Sequence, residues 1–133
     1  MEKFRVLIVD DEVDFVETIV KRLKDRGLDA IGATSGREAL DMMDGNEFDV
    51  AVLDVKMPGM DGIETLREMK KKNPMMEVIM LTGHGSVESG IQGLQLGAYN
   101  YVMKPVPLND LLKQMTQAYE RKLIEQDRQR GGS

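Results

Sequence analysis

Five short apolar runs punctuate the chain at near-regular intervals: Phe4–Val9, Leu28–Ala33, Val50–Leu53, Val78–Leu81 and Tyr99–Met103. Three of them, VLIV, VAVL and VIML, are apolar at every position rather than at alternate ones. A strand with one wet face alternates; one covered on both faces need not. These three therefore read as central strands. Amphipathic stretches of about ten to fifteen residues lie between the runs, long enough for helices and too long for ordinary strands. The alternation predicts an α/β fold, a parallel sheet with helices on both faces.

Local signals mark where the helices start and stop. Ser35 followed by Glu38, and Asp61 followed by Glu64, each fit an N-cap with an acid at the third helical position. Gly27 and Gly97 stand where a helix must end and a strand begin. From Leu108 onward, Leu108, Leu112, Met115 and Tyr119 share one helical face. The following stretch, Ile124–Arg130, is polar. The expected division is a compact domain over residues 1–124 and a frayed helix extension or tail over residues 125–133. Of the eleven methionines, Met80 and Met103 are expected in the core, and Met57 and Met60 in loop packing beside Asp54.

Composition narrows the function. A chain of 133 residues supports one domain with a real core. A net charge of -5 argues against general nucleic-acid binding, which calls for a basic patch. With no cysteine, disulfides, thiolate nucleophiles and zinc–thiolate sites are excluded. The opening MEKFRVLIVDDE is too short and too acidic for a signal peptide, and no segment approaches the ~18 apolar residues of a membrane span. The expected setting is cytoplasmic.

The chemistry gathers just past the strands. Asp10 and Asp11 follow the first run, Asp54 the third, Thr82 the fourth, and Lys104–Pro105 the fifth. In a parallel sheet all these positions lie at the carboxyl edge, where ligands of open α/β folds bind. Singly they mean little, since an Asp at a strand end is ordinarily a cap or turn residue. Together they form an acid pair, an acid, a hydroxyl and a lysine on four strand ends. Carboxylates so grouped repel, by about 4 kcal/mol for a pair about 4 Å apart at an effective dielectric of about 20. A proton or a cation must relieve this, and an all-oxygen set suits Mg²⁺. Asp54 could then attack phosphorus, with the cation, Lys104 and Thr82 neutralising the phosphoryl oxygens.

The stretches VLIVDDE, VAVLDVKMPGMDG, VIMLTGHG and GAYNYVMKP resemble those of two-component response-regulator receiver domains, over residues 4 to about 120. The segment from Leu81 to Pro105 is most similar to receivers of the nitrogen-regulatory class of transcription activators. The resemblance implies a flavodoxin-like doubly wound sheet of five strands in the order 2-1-3-4-5. It also implies a stoichiometric phosphoacceptor, not a turnover enzyme, which assists its own phosphorylation and dephosphorylation. Asp54 matches the phosphoacceptor, and Asp10, Asp11, Asp54 and the Lys56 carbonyl match the Mg²⁺ ligands. Thr82 and Lys104 match the phosphoryl-binding pair, Tyr101 the aromatic switch partner of Thr82, and Lys104–Pro105 the peptide bond that is often cis. No organic cofactor is implied. The implied partners are a sensor histidine kinase or phosphotransfer protein and a downstream output domain or protein. The latter is expected to be met through the fourth helix, fifth strand and fifth helix, and a phosphorylation-dependent dimer is a further expectation. Neither membrane nor direct nucleic-acid contact is expected.

Lys56 and His84 occupy the positions two after Asp54 and Thr82, which in the family tune dephosphorylation, so the phosphoryl lifetime stays open. Pro107 replaces a hydroxyl cap before the last helix, a position where proline is tolerated. Gly90 and Gly93 weaken the fourth helix by about 1 kcal/mol each relative to alanine, which reads either as close packing or as a helix built to shift. Rival functions fit less well. A haloacid-dehalogenase-like phosphatase needs a second acid where Lys56 stands. A flavodoxin-like cofactor binder needs a phosphate loop where Asp10 and Asp11 stand. A pseudo-receiver acting only as a docking module would not need the full set of acids, Thr82 and Lys104.

Overall fold

The computed structural model describes residues 3–56, 61–83 and 87–131. Strands and helices alternate: β1 (Arg5–Val9), α1 (Val13–Asp25), β2 (Asp29–Ala33), α2 (Gly36–Met43), β3 (Val50–Asp54), α3 (Gly62–Lys72), β4 (Glu77–Thr82), α4 (Val87–Gln95), β5 (Asn100–Met103) and α5 (Leu108–Gly131). All strand pairs are parallel and the order is β2-β1-β3-β4-β5, the flavodoxin-like arrangement expected. The winding reverses between β1 and β3, which opens a crevice at their carboxyl ends. Register aligns those ends: Val9 pairs with Leu53, Asp54 with Leu81, and Thr82 with Met103.

The fully apolar runs are buried as their patterns imply. Successive residues feed opposite cores, as strand geometry demands. Leu7, Ala51, Leu53 and Met80 pack with Ala39 and Leu40 of α2 and Leu66 and Met69 of α3. Ile8, Val52, Ile79 and Leu81 pack with Ile19 and Leu23 of α1 and Leu111 and Met115 of α5. Met103 departs from expectation: it is 52 % exposed. It is the last residue of an edge strand, none of whose four residues is fully buried.

The caps are where the sequence puts them. Ser35 Oγ accepts the Glu38 N–H at 3.1 Å, and Glu38 Oε1 accepts the Thr34 N–H at 2.7 Å, closing a reciprocal box. Asp61 Oδ1 accepts the Glu64 N–H at 2.8 Å. Gly27 and Gly97 end α1 and α4 with φ of 88° and 103°, a conformation that costs side-chain-bearing residues energy.

Helix α5 continues as helix through the extension expected after residue 124, as far as Gly131. Arg128–Glu125 and Arg130–Asp127 pairs, one turn apart, support the polar stretch as helix. Farther back, α5 is fastened to the amino edge of the sheet. Tyr119 stacks on Phe4 with centroids 4.8 Å apart, Arg121 pairs with the buried Glu77, and Lys122 Nζ donates to Asp49 Oδ1 at 2.6 Å. Among the described residues, no helix is long and apolar enough to cross a membrane.

Candidate functional site

Asp10 follows β1, Asp54 closes β3, Thr82 closes β4 and Lys104 follows β5, so the topology delivers all four to one edge. A carboxylate oxygen from each of Asp10, Asp11 and Asp54 lies within 4.8 Å of the others. Asp10 is fully buried, Asp54 is 7 % exposed, and Asp11 faces solvent. Asp10 Oδ1 accepts the Glu12 N–H at 3.0 Å, while its Oδ2 accepts from Lys104 Nζ at 2.6 Å. Asp54 Oδ1 accepts the Lys56 N–H at 3.3 Å, and its Oδ2 stands 4.0 Å from Lys104 Nζ. The Lys104 N–H donates to the Thr82 carbonyl at 2.7 Å, tying the ends of β4 and β5 together. Thr82 itself is buried.

The site opens into a depression of about 610 Å³ whose walls include Asp11, Asp54, Lys56, Phe15, Lys104 and Pro105. The Lys104–Pro105 peptide is cis, as the resemblance implies. Tyr101 does not line this depression. Its half-buried ring lies against α4 at Gly90, where a built Cβ would come within 2.7 Å of the ring. Gly93 likewise meets Met80, so both glycines serve close packing of α4 on the sheet. His84, Met57 and Met60 lie outside the described residues.

Electrostatics mark Asp54 as the unsettled group. Burial first, and the Asp10 charge second, push its pKa up to about 6, against the opposing pull of Lys104 and of the Lys56 N–H. Burial alone would lower the pKa of Lys104, but the hydrogen bond and charge of Asp10, with Asp54 and Glu12 adding, hold it above the usual lysine value. Three clustered carboxylates with a single lysine among them are a donor set suited to a hard divalent cation.

Two residues that touch this centre went unmarked in the sequence. Glu12 Oε1 accepts from Lys104 Nζ at 3.2 Å, and the Lys104 ammonium sits 4.8 Å from the centroid of the Phe15 ring. Glu12 stands directly after the acid pair, which is the signal that could have flagged it. Phe15, on an amphipathic helix, gives no such sign.

Comparison with known proteins decides the family. A family model described as the response regulator receiver domain matches residues 6–116. The chain belongs to this family. Among relatives of this receiver, the transcriptional regulatory protein ZraR of Escherichia coli (strain K12) is 37% identical over 106 residues. That match takes in 80% of this chain and 24% of ZraR. A putative NtrX-like response regulator of Rickettsia conorii is 35% identical over 122 residues, 90% of this chain and 26% of that protein. The receiver thus spans about a quarter of the length of these relatives. A receiver domain protein from Clostridium thermocellum superimposes with a TM-score of 0.86 at 36% identity, covering 91% of this chain and 98% of that one. NtrX from Brucella abortus in complex with ADP gives 0.90 at 29% identity, over 95% of this chain and 29% of that one.

Proposed function

We propose that this receiver is a stoichiometric phosphoacceptor of a cytoplasmic two-component system, taking a phosphoryl group on Asp54 from the phosphohistidine of a sensor kinase or phosphotransfer protein. The observation that carries the reading is the placement of Asp54. It is buried at the end of β3, within 4.8 Å of two other carboxylates, and the Lys104 ammonium is 4.0 Å away. A carboxylate oxygen of Asp54 forms the new bond to phosphorus as the donor's P–N bond breaks. The electron pair leaves on the imidazole nitrogen, which takes up a proton. Lys104 moves a short way to one phosphoryl oxygen and the Thr82 hydroxyl meets another. Asp10, Asp11, Asp54 and the Lys56 carbonyl would hold Mg²⁺, which neutralises phosphoryl charge when bound. Lys56 stands where a hydrolase would place a second acid, which favours one transfer per cycle over turnover. In this reading residues 1–124 are the signalling unit and the rest of α5 is an extension from it.

Incubating the protein with acetyl phosphate and Mg²⁺ and weighing it by mass spectrometry tests the reading. One added, alkali-labile phosphoryl group is expected; an unchanged mass would leave only a docking module. Mg²⁺ alone should already stabilise the fold, since it binds the native cluster and not the unfolded chain. At about a hundredfold excess over its Kd the gain is about 2.7 kcal/mol, which raises the melting midpoint by roughly 10 °C. A midpoint that Mg²⁺ does not move would rule out the cation site.

The output surface in this reading is the face of α4, β5 and α5. Ile91, Leu94 and Met103 expose apolar side chains there, and Tyr101 rests on Gly90 between strand and helix. Movement of Thr82 towards the phosphoryl group would let Tyr101 and α4 reposition as a two-state element. Amide hydrogen exchange over residues 83–104 should change on phosphorylation, and identical protection in the two states would refute this face. The relative ZraR is a transcriptional regulatory protein, which favours transcriptional control as the eventual output.

A further inference from the structure

The Lys104 ammonium is held towards α1, off the phosphoacceptor. Asp10 Oδ2 is 2.6 Å from Nζ, Glu12 Oε1 is 3.2 Å, and the Phe15 ring centroid is 4.8 Å. Asp54 Oδ2, at 4.0 Å, is beyond hydrogen-bond reach. Asp10 has evident reasons to be where it is, being fully buried and one of the three clustered acids. Glu12 has none of these.

Its place in the helix makes that contact informative. Residue 12 is the N-cap of α1, with extended backbone at φ -81° and ψ 98°. Short oxygen-bearing side chains are favoured at such a position because they reach back to a free N–H. Helices α2 and α3 are capped in this way by Ser35 and Asp61. Glu12 makes no side-chain cap bond, and its carboxylate reaches Lys104 instead. Helix α1 therefore goes without its cap while the side chain that could have supplied one grips the lysine.

We infer that Glu12 is a positioning residue: it parks the Lys104 ammonium away from Asp54 until a phosphoryl group competes for it, and so sets how readily Asp54 is phosphorylated. This rests on the phosphoacceptor reading above. With acetyl phosphate as donor, the Asp54 oxygen bonds to phosphorus, the P–O bond to the acetyl group breaks, and acetate leaves with the electron pair. During that exchange Lys104 gives up Glu12 for a phosphoryl oxygen. Any contact made only before transfer holds the reaction back by its own strength. The Glu12 side chain is 67 % exposed, so the grip is modest, and its release should speed phosphorylation about two- to fivefold rather than by orders of magnitude.

Two variants separate the grip from mere charge. Glu12→Gln removes the carboxylate. Glu12→Asp keeps the charge but shortens the arm and favours capping α1 over reaching Lys104. Initial rates with acetyl phosphate and Mg²⁺ should rise about two- to fivefold in both. The ε-carbon NMR resonance of Lys104, recorded without metal or donor, should shift in both variants. A faster Glu12→Gln with Glu12→Asp at the wild-type rate would mean repulsion of the anionic donor and would overturn the parking role. Wild-type rates and an unmoved Lys104 resonance in both variants would overturn it as well. A wild-type protein that takes up no phosphoryl group would remove the parent reading and this one with it. That result differs visibly from wild-type uptake that the variants leave unchanged.

Discussion

Asp54→Asn is expected to abolish phosphoryl uptake and, in metal-free buffer above pH 6, to make the protein more stable. Loss of uptake follows because an amide offers no anionic oxygen to phosphorus. The gain in stability follows from the burial of the carboxylate. Its pKa in the folded protein is raised to about 6 from 3.8, so between those values the folded state binds more protons than the unfolded one. Stability therefore falls as pH rises through that window and is level above it. A shift of this size corresponds to about 3 kcal/mol against folding at neutral pH, and asparagine, having no charge to bury, escapes it. Denaturant unfolding at pH 4 and pH 8 with a chelator present checks this. The two proteins should be close at pH 4, with the Asn variant ahead by about 1–3 kcal/mol at pH 8. An Asn variant no more stable at pH 8 would show that Asp54 is not strained by its surroundings. Mg²⁺ should narrow the gap by stabilising the wild type alone.

Gly62→Ala should damage both the fold and the site. Gly62 opens α3 and its N–H donates to the Val55 carbonyl at 2.9 Å. A Cβ there would come 2.5 Å from the Asp54 carbonyl oxygen and 2.6 Å from both Cα and O of Val55. These are backbone atoms, so no side chain can rotate out of the way, and the end of β3 that carries Asp54 has to move. Overpacking usually costs about 1–3 kcal/mol, and a forced backbone shift belongs at the upper end. The expected loss is about 3 kcal/mol, a fall in melting midpoint of roughly 10 °C. Phosphorylation should slow by about tenfold or more, because displacement of a reacting group by even ~1 Å is costly. Gly131→Ala, where nothing lies within 4 Å, is the control and should be neutral or slightly stabilising. A Gly62→Ala protein that melts with the wild type would contradict the close approach.

Much of this was legible in the residues because the relevant signals are local. Runs such as VAVL declare double-sided burial, and Ser35 and Asp61 announce their helices. The four strand-end positions converge once the sheet is parallel, so Asp10, Asp54, Thr82 and Lys104 could be assembled on paper. What escaped depends on distant geometry. Met103 looks like a core residue until β5 proves to be an edge. Nothing in the sequence marks Lys122 as buried, yet it is 8 % exposed because α5 crosses the sheet edge beside Asp49. Glu12 reads as part of an acidic run, and only the folded chain brings it to a lysine 92 positions later.

The fastening of α5 gives the molecule a fulcrum. The helix begins beside the carboxyl edge that carries Asp54, is clamped at the far edge through Arg121–Glu77 and Lys122–Asp49, and then projects onward to Gly131. At about 1.5 Å of rise per residue the projecting arm is some 13 Å long, so each degree of tilt at the clamp sweeps its tip by about 0.2 Å. Leu111 lies on the other arm, about 16 Å before the clamp, so a rotation of a few degrees shifts the packed end and the free tip by similar amounts in opposite directions, enough to make or break a van der Waals contact. Loosening the clamp would take that leverage away.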